Sequence, residues 1–202
     1  MSSRQKKPVD RRIRKTKRIL KESLATLLLE KKRNNITVQE LVNLADINRG
    51  TFYLHYRDIH DMLSQIEAEM LEELEEITQR FPLAMTDTPK PYIQDMLQYI
   101  ADNHTFCKML LGPYGDMAFV EKLKKLVEER CLYSLMKTWP ENDAQRYRYF
   151  ASYTIAGCIG LIQAWLDGGM EASPQELAEV AEDMIQNGIE FLHRDARKGS
   201  ER

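Results

Sequence analysis

Nowhere in the 202 residues do eighteen apolar side chains follow one another, so no membrane-spanning helix is read from the sequence. The N-terminus is basic and polar with no apolar stretch behind it. That pattern excludes a secretory signal and leaves the cytosol as the expected location. Cysteine is scarce: Cys107, Cys131 and Cys158 are odd in number and far apart, which gives neither a disulfide framework nor a zinc-ligand spacing. They read as ordinary buried thiols. The four histidines have no i, i+4 partner and no cysteine nearby, so no metal site is expected. A Walker loop, a dinucleotide fingerprint and a nucleophile elbow are all missing, and no cofactor or catalytic group is assigned. Alternating β-branched runs are missing as well, which points to an all-helical chain. Asn103-His-Thr105 has the spelling of a glycosylation triplet, but a cytosolic protein would not be modified there.

What is present is a lopsided charge. The net −2 conceals a head, up to Arg57, with 15 Lys and Arg against 5 Asp and Glu, a balance of +10. The remainder carries 14 against 26, a balance of −12. A compact basic head on an acidic body suggests that the first part meets a polyanion and the second does something else. A merely solvated surface of uneven charge is the plain alternative.

Helical periodicity organises the head. From Asp10 to about Lys32, Ile13, Thr16, Leu20, Leu24, Leu27 and Leu28 recur on one face, and Arg11, Arg12, Arg14, Lys15, Lys17, Arg18 and Lys21 crowd the first half. Asn34-Asn35 breaks this helix. Thr37-Val-Gln-Glu40 then forms a capping box, with the threonine hydroxyl and the glutamate carboxylate serving exposed helix N–H groups. Val38, Leu41, Val42 and Ala45 give the short second helix one buried face. Asp46 suits the left-handed conformation of a tight turn, Ile47 can plug that turn into the core, and Asn48 caps a third helix.

That third helix opens the segment NRGTFYLHYRD, Asn48 to Asp58. Taken as a helix from Arg49 to Tyr56, it places Phe52 and Tyr56 one above the other at i, i+4 and turns them toward the first two helices. Gly50, Thr51 and Leu54 then point outward, with Tyr53 and His55 on the flanks and Arg49 in the first turn. For a helix facing water this is a poor surface, because glycine costs about 1 kcal/mol of helix propensity against alanine and the leucine is uncovered. For a helix in a DNA major groove it makes sense. Gly50 permits close approach, Leu54 can touch a thymine methyl, Arg49 can reach guanine or phosphate, and the tips of Tyr53 and His55 can bond phosphate oxygens.

Beyond Asp58, Ile59, Leu63, Ile66, Met70 and Ile77 mark a long fourth helix to about Arg80. Pro82, Pro89 and Pro91 interrupt, and further helical patterns run near Tyr92 to Ala101, Thr105 to Leu111, Asp116 to Lys137 and Asp143 to Asp167. A second capping box, Ser173-Pro-Gln-Glu176, starts the last helix, which continues to about His193. About nine helices are expected, in a head of residues 1–57 and a body of residues 58–202.

The run from Arg18 to Leu63, with Thr37-Val-Gln-Glu-Leu, Ala45-Asp-Ile-Asn-Arg-Gly-Thr-Phe-Tyr and His55-Tyr-Arg-Asp in register, resembles the DNA-binding domain of TetR/AcrR transcriptional regulators. Ile155 to Trp165 with Gly168-Gly169 resembles that family's penultimate helix. The Asn103 to Phe106 and Gly115-Asp116 region resembles the subtype common in low-GC Gram-positive bacteria. The resemblance implies a three-helix helix-turn-helix domain and a larger ligand-binding and dimerisation domain. It also implies a double-stranded operator as partner, a homodimer, and a small apolar or aromatic effector. Carried over by position, it implies DNA contacts from Arg49, Gly50, Thr51, Tyr53 and Leu54 and phosphate contacts from Thr37 and His55, and Asn48, besides capping the helix, is counted among the DNA-binding residues. Lys15 and its basic neighbours, and the tail Arg4 to Lys7, could lie along the backbone or in the minor groove. Two positions depart from the family. Asp46 stands where a turn glycine is usual, and Ile59 stands where a lysine commonly grips phosphate, leaving Arg57 or His60 to substitute.

In such a body the last two helices pair with their symmetry mates. Ala156, Gly160 and Ala164 on one, and Leu177, Ala181, Met184 and Gly188 on the other, are the expected dimer face. Tyr92, Tyr99, Phe106, Met109, Tyr149 and Tyr153 are candidates to line an effector pocket, against the plainer reading that most are core. Two rival classes are weaker. A helical enzyme would need convergent titratable groups, and a protein-interaction module would leave the basic, capped helix-turn-helix without a purpose.

Overall fold

The computed structural model describes residues 11–80, 89–112, 115–138 and 143–193. The tail Arg4 to Lys7, Pro82 and Pro140 lie outside the described residues. Within them there are nine α-helices, a short 3-10 turn at Arg33–Asn35, and no strand. The helices are α1 Arg11–Glu30, α2 Val38–Leu44, α3 Arg49–Tyr53, α4 Ile59–Gln79, α5 Lys90–Asp102, α6 His104–Leu110, α7 Met117–Thr138, α8 Ala144–Asp167 and α9 Pro174–His193. Eight of them fall within a few residues of the sequence expectation. The exception is α3, which was expected to reach Tyr56 and ends three residues earlier. Leu54 is its C-cap, and the N–H groups of His55 and Tyr56 both return to the Phe52 carbonyl, closing the chain into a tight turn.

The chain forms two compact units, Met1–Glu69 with Thr105–Gly115, and Met70–His104 with Asp116–Arg202. The sequence suggested a division after Arg57; the first unit instead takes in the first half of α4. Burial explains this, because Ile59, Met62, Leu63 and Ile66 are all inside. Lys17 of α1 also bonds Glu69 at 3.1 Å. Leu20, Leu24 and Leu28 of α1, Leu41 and Val42 of α2, and Phe52 of α3 supply the core of this unit, each such side chain contributing about 1.5–3 kcal/mol on leaving water.

In the second unit α5 packs on α9, and α8 packs on both α7 and α9. One apolar cluster gathers Leu135, Tyr147 and Phe150 with Cys131, Leu132 and Ile185 at its margin. Another gathers Leu97, Trp165, Leu177 and Ala178. Helix α8 closes with the Gly169 N–H on the Leu166 carbonyl and the Met170 N–H on the Trp165 carbonyl. Gly169, at φ 79, supplies the left-handed residue that this closure needs. By length and composition alone α8 is apolar enough to cross a membrane, a test that core helices of globular proteins also pass.

Candidate nucleic-acid interface

The turn between α2 and α3 is built by backbone hydrogen bonds. The Asp46 N–H returns to the Asn43 carbonyl at 3.3 Å and the Ile47 N–H to the Val42 carbonyl at 3.0 Å, with Asp46 left-handed at φ 52. This is the double closure that usually recruits glycine. Aspartate occupies it at a modest conformational cost. Asn48 then caps α3, its carboxamide oxygen accepting the Gly50 N–H at 2.8 Å. A Cβ added at Gly50 would lie 3.2 Å from that same oxygen, so Gly50 has a reason inside the protein as well as any at DNA.

The inward side of the segment is as the periodicity expects, but on the outward side Thr51 is less exposed, and Tyr53 more exposed, than helical spacing puts them. Phe52 and Tyr56 are buried, and Leu54 is 80% exposed, with Gly50 and Tyr53 beside it on the outside. Thr51 and His55 are half-buried. Arg49 is held by its own helix: its guanidinium donates to the Tyr53 hydroxyl at 3.2 Å and lies 5.5 Å from the centre of that ring. Thr37 caps α2 by accepting the Glu40 N–H at 3.2 Å. The capping box is completed differently from expectation, because the Glu40 carboxylate pairs with Lys31, whose ammonium and hydrogen bond hold the carboxyl below its usual range. Asn48, Arg49 and Leu54 are exposed, and so is Lys15 on α1.

Ile59 is only 5% exposed, so the position of the family's phosphate-gripping lysine is part of the core here. Arg57 is spoken for. Its backbone N–H bonds Asp61 at 2.8 Å and its guanidinium bonds the same carboxylate at 3.1 Å, which holds the Asp61 pKa below its ordinary value. Asp58 accepts the Asp61 N–H at 2.8 Å and so caps α4. Lys17 was grouped with the DNA-facing basic residues, yet it pairs with Glu69 and stands 5.8 Å from the Tyr56 ring centre. The signal was available: Lys17 lies three residues before Leu20, on the apolar side of α1. Burial, with the Glu69 and Asp61 carboxylates adding to it, pushes the Tyr56 phenol up to about 12.

Several residues expected in the body are placed otherwise. Phe106 and Met109 are buried in the first unit, and Tyr92 and Tyr99 belong to the second. Lys21 stands 5.4 Å from the Phe106 ring centre, and the Tyr99 hydroxyl donates to Glu73 at 2.8 Å. Burial, with Cys131 adding to it, raises the Tyr92 phenol to about 12. Tyr149 and Tyr153 stand in the open on α8. Of the dimer candidates, Leu177 and Ala181 are corrections. Both are buried in the chain's own core, Leu177 beside Trp165, and a Cβ on Gly188 would sit 3.3 Å from the Phe150 ring. Ala156, Gly160, Ala164 and Met184 are exposed, and Val180, which sequence reasoning passed over, is exposed one turn before Met184. Among the described residues no cluster of His, Cys, Asp or Glu is arranged to hold a metal.

Residues 87–187, half of the chain, match the TetR-type family described as transcriptional regulator C-terminal region. The chain belongs to the TetR family of transcriptional regulators. As a TetR-family regulator it is not an enzyme. YxbF, an uncharacterized HTH-type transcriptional regulator of Bacillus subtilis (strain 168), is 24% identical over 177 residues, 85% of this chain and 45% of YxbF. The chain therefore spans about half the length of that curated relative. Among solved structures, the fatty acid degradation regulator FadR from Bacillus halodurans superposes with a TM-score of 0.64 at 13% identity, over 90% of this chain and 96% of that one. NalD, the secondary repressor of the MexAB-OprM multidrug efflux pump in Pseudomonas aeruginosa, gives 0.55 at 19% identity, over 87% and 95%. Both are likenesses of fold to this TetR-family chain.

Proposed function

We propose that the protein is a homodimeric repressor that reads a roughly palindromic operator and is released from it by a small molecule. The observation that carries this reading is the surface of α3: an N-capped helix, locked in a helix-turn-helix, presenting Arg49, Gly50, Tyr53 and Leu54 outward from a head of net positive charge. Each subunit would place α3 in a major groove, with half-sites about one helical turn apart to match a two-fold axis. His55, Thr51 and Lys15 would add contacts around the reading surface, with Thr37 on the adjacent backbone. Arg57, whose side chain is 87% exposed, would offer phosphate the guanidinium N–H groups that Asp61 does not use. Exposed His60 is the other candidate to substitute for the missing lysine.

The dimer would form through α8 and α9 by Ala156, Gly160, Ala164, Val180 and Met184, small and apolar side chains that the single chain leaves uncovered. An apolar or aromatic effector would bind in the second unit, near Tyr92. It would act by preferring a spacing of the two heads that does not fit DNA. Helix α4, whose residues are shared between the two units, is the connecting element.

Selection of bound genomic fragments at two salt concentrations tests the reading. A specific operator should emerge, with affinity falling steeply as salt rises. Arg49→Ala should relax preference at one base position and cost about 1–3 kcal/mol there. Recovery of the same fragments with the same affinities by Arg49→Ala and Tyr53→Ala would remove α3 from the role. An unchanged operator affinity across a broad panel of metabolites and drugs would remove the effector.

A further inference from the structure

Cys131 and Cys158 take no part in the operator-binding reading. They stand on α7 and α8, both half-buried and neither in a disulfide. Helix α8 packs on α7, with Leu135 near the end of one meeting Tyr147 and Phe150 near the start of the other, so the two run antiparallel. Cys131 lies one turn before Leu135 and packs against the same cluster. Cys158 lies eleven residues after Tyr147, about three turns, which returns it to the face of α8 turned toward α7. Cα–Cβ bonds tilt toward a helix's own N-terminus, and in this antiparallel pair the tilts bring Cys131 and Cys158 toward each other. Their electrostatics agree: Cys158 acts on Cys131, and both act on the Tyr92 phenol of α5. Two thiols and an aromatic ring, from three helices of the second unit, therefore share one neighbourhood.

This set narrows the ligand. Among the described residues no group of three or more His, Cys, Asp and Glu is arranged around a metal, so a tetrahedral ion would be short of ligands. Burial, with Cys158 adding to it, pushes the Cys131 thiol up to about 11, and burial raises Cys158 as well. Little thiolate is then present to attack a peroxide or a disulfide. A trivalent arsenical suits the pair better, since it takes two thiols and keeps one organic group, which the Leu132 and Phe150 side chains around Cys131 can cover.

We infer that Cys131 and Cys158 form a dithiol site for a trivalent arsenical bearing an apolar or aromatic substituent. With phenylarsine oxide the oxygen leaves arsenic and two arsenic–sulfur bonds form. The two thiol protons depart with that oxygen as one water molecule, and arsenic stays trivalent. Because the oxide takes the protons, the raised thiols do not block the reaction. The inference rests on the effector reading above in placing a ligand near Tyr92, and deepens it by naming a ligand class; the binding itself needs no DNA.

The test titrates the full chain with phenylarsine oxide and follows it by native mass spectrometry. The parent should take up one phenylarsenic group with loss of one water, and 2,3-dimercaptopropanol should remove it. Cys107, in the first unit, is the control: Cys107→Ser should bind like the parent. Cys131→Ser and Cys158→Ser should each lose about a hundredfold or more in affinity, because two tethered thiols become a single one. No uptake by the parent, undiminished uptake by either of these two variants, or a loss confined to Cys107→Ser would overturn the inference. A second measurement needs no variant. Dibromobimane, which fluoresces once it has joined two thiols, should link the peptides carrying Cys131 and Cys158 in the folded parent at mildly alkaline pH. If a serine variant fails to fold by circular dichroism, this link decides, and its absence overturns the site. An arsenical bound by a chain that selects no operator would keep the site and sink the DNA reading instead.

Discussion

Leu54 on α3 is 80% exposed and Tyr153 on α8 is 78% exposed, two large apolar side chains left uncovered at opposite ends of the sequence. Their surroundings differ. Leu54 follows an exposed arginine, glycine and capping asparagine within six residues, in a unit rich in positive charge. Tyr153 shares its face with Ala156, Gly160 and Ala164, all uncharged and mostly small. An isolated leucine amid polar and cationic groups suits a groove walled by phosphates. A long uncharged stripe suits another helix, because small side chains let backbones approach and no charge has to be desolvated. Exposure alone says only that something is missing, and the neighbouring chemistry says what would fit.

The contrast can be broken in graded steps. The largest effect should come from Phe52→Ala, which removes the inward half of α3 and should cost about 3–5 kcal/mol in chemical denaturation. Leu54→Ala, on the outward half two residues away, should stay within about 0.5 kcal/mol of the parent in the same measurement. A large stability loss for Leu54→Ala would mean that its face is covered.

Next comes Gly160→Glu. The space around Gly160 is open, so the single chain can accept the side chain, and replacing glycine in a helix interior should if anything favour folding. A two-fold axis through this face would bring two carboxylates together, weakening the dimer by about 3 kcal/mol, roughly a hundredfold. Sedimentation equilibrium with a parallel thermal melt separates the effects; an unchanged dimer would place the interface elsewhere.

Caps give a smaller, paired comparison. In the body the Ser173 N–H bonds Glu176 at 2.8 Å and the Glu176 N–H bonds the Ser173 hydroxyl at 3.2 Å, a reciprocal box. In the head Glu40 turns to Lys31. Thr37→Ala and Ser173→Ala should each cost about 1 kcal/mol, but Glu40→Gln should weaken the Lys31 pair while Glu176→Gln keeps a bond to its cap. Urea titration of the four variants checks this.

The smallest effect concerns pH. Arg57 lowers the folded pKa of Asp61, so the stability gained is present above the ordinary aspartate value of 3.8 and is lost as pH falls through the lowered value. Asp61→Asn should therefore be less stable than the parent at neutral pH and converge with it in acid. A difference that persists at the acid end would trace to the hydrogen bonds that the Asp61 side chain accepts from the Arg57 N–H and the Gln65 amide, or to packing, not to charge.

Much of this was legible in local chemistry. Asp46, Asn48 and the Thr37 hydroxyl act within four residues along the chain, and Phe52 with Tyr56 follows from helical spacing, so neighbours in sequence suffice to specify them. The end of α3 was not legible, because a helix pattern through Tyr56 does not reveal a turn that closes on the Phe52 carbonyl. Nor was the partner of Glu40, since Lys31 lies nine residues away, just past the end of α1.

By itself, then, the sequence determined the helices, their caps, the turn and the inward face of α3, all matters of spacing and backbone hydrogen bonding within one or two turns. Tertiary structure decided which apolar residues of α9 are interior: Leu177 and Ala181 are buried, and Val180 with Met184 is left outside. It also decided that Lys17 faces Glu69 and that Ile59 is core. The physical reason is the same in each case. A helix with apolar residues on two faces can bury either, and the choice is made by the residues that arrive from other helices.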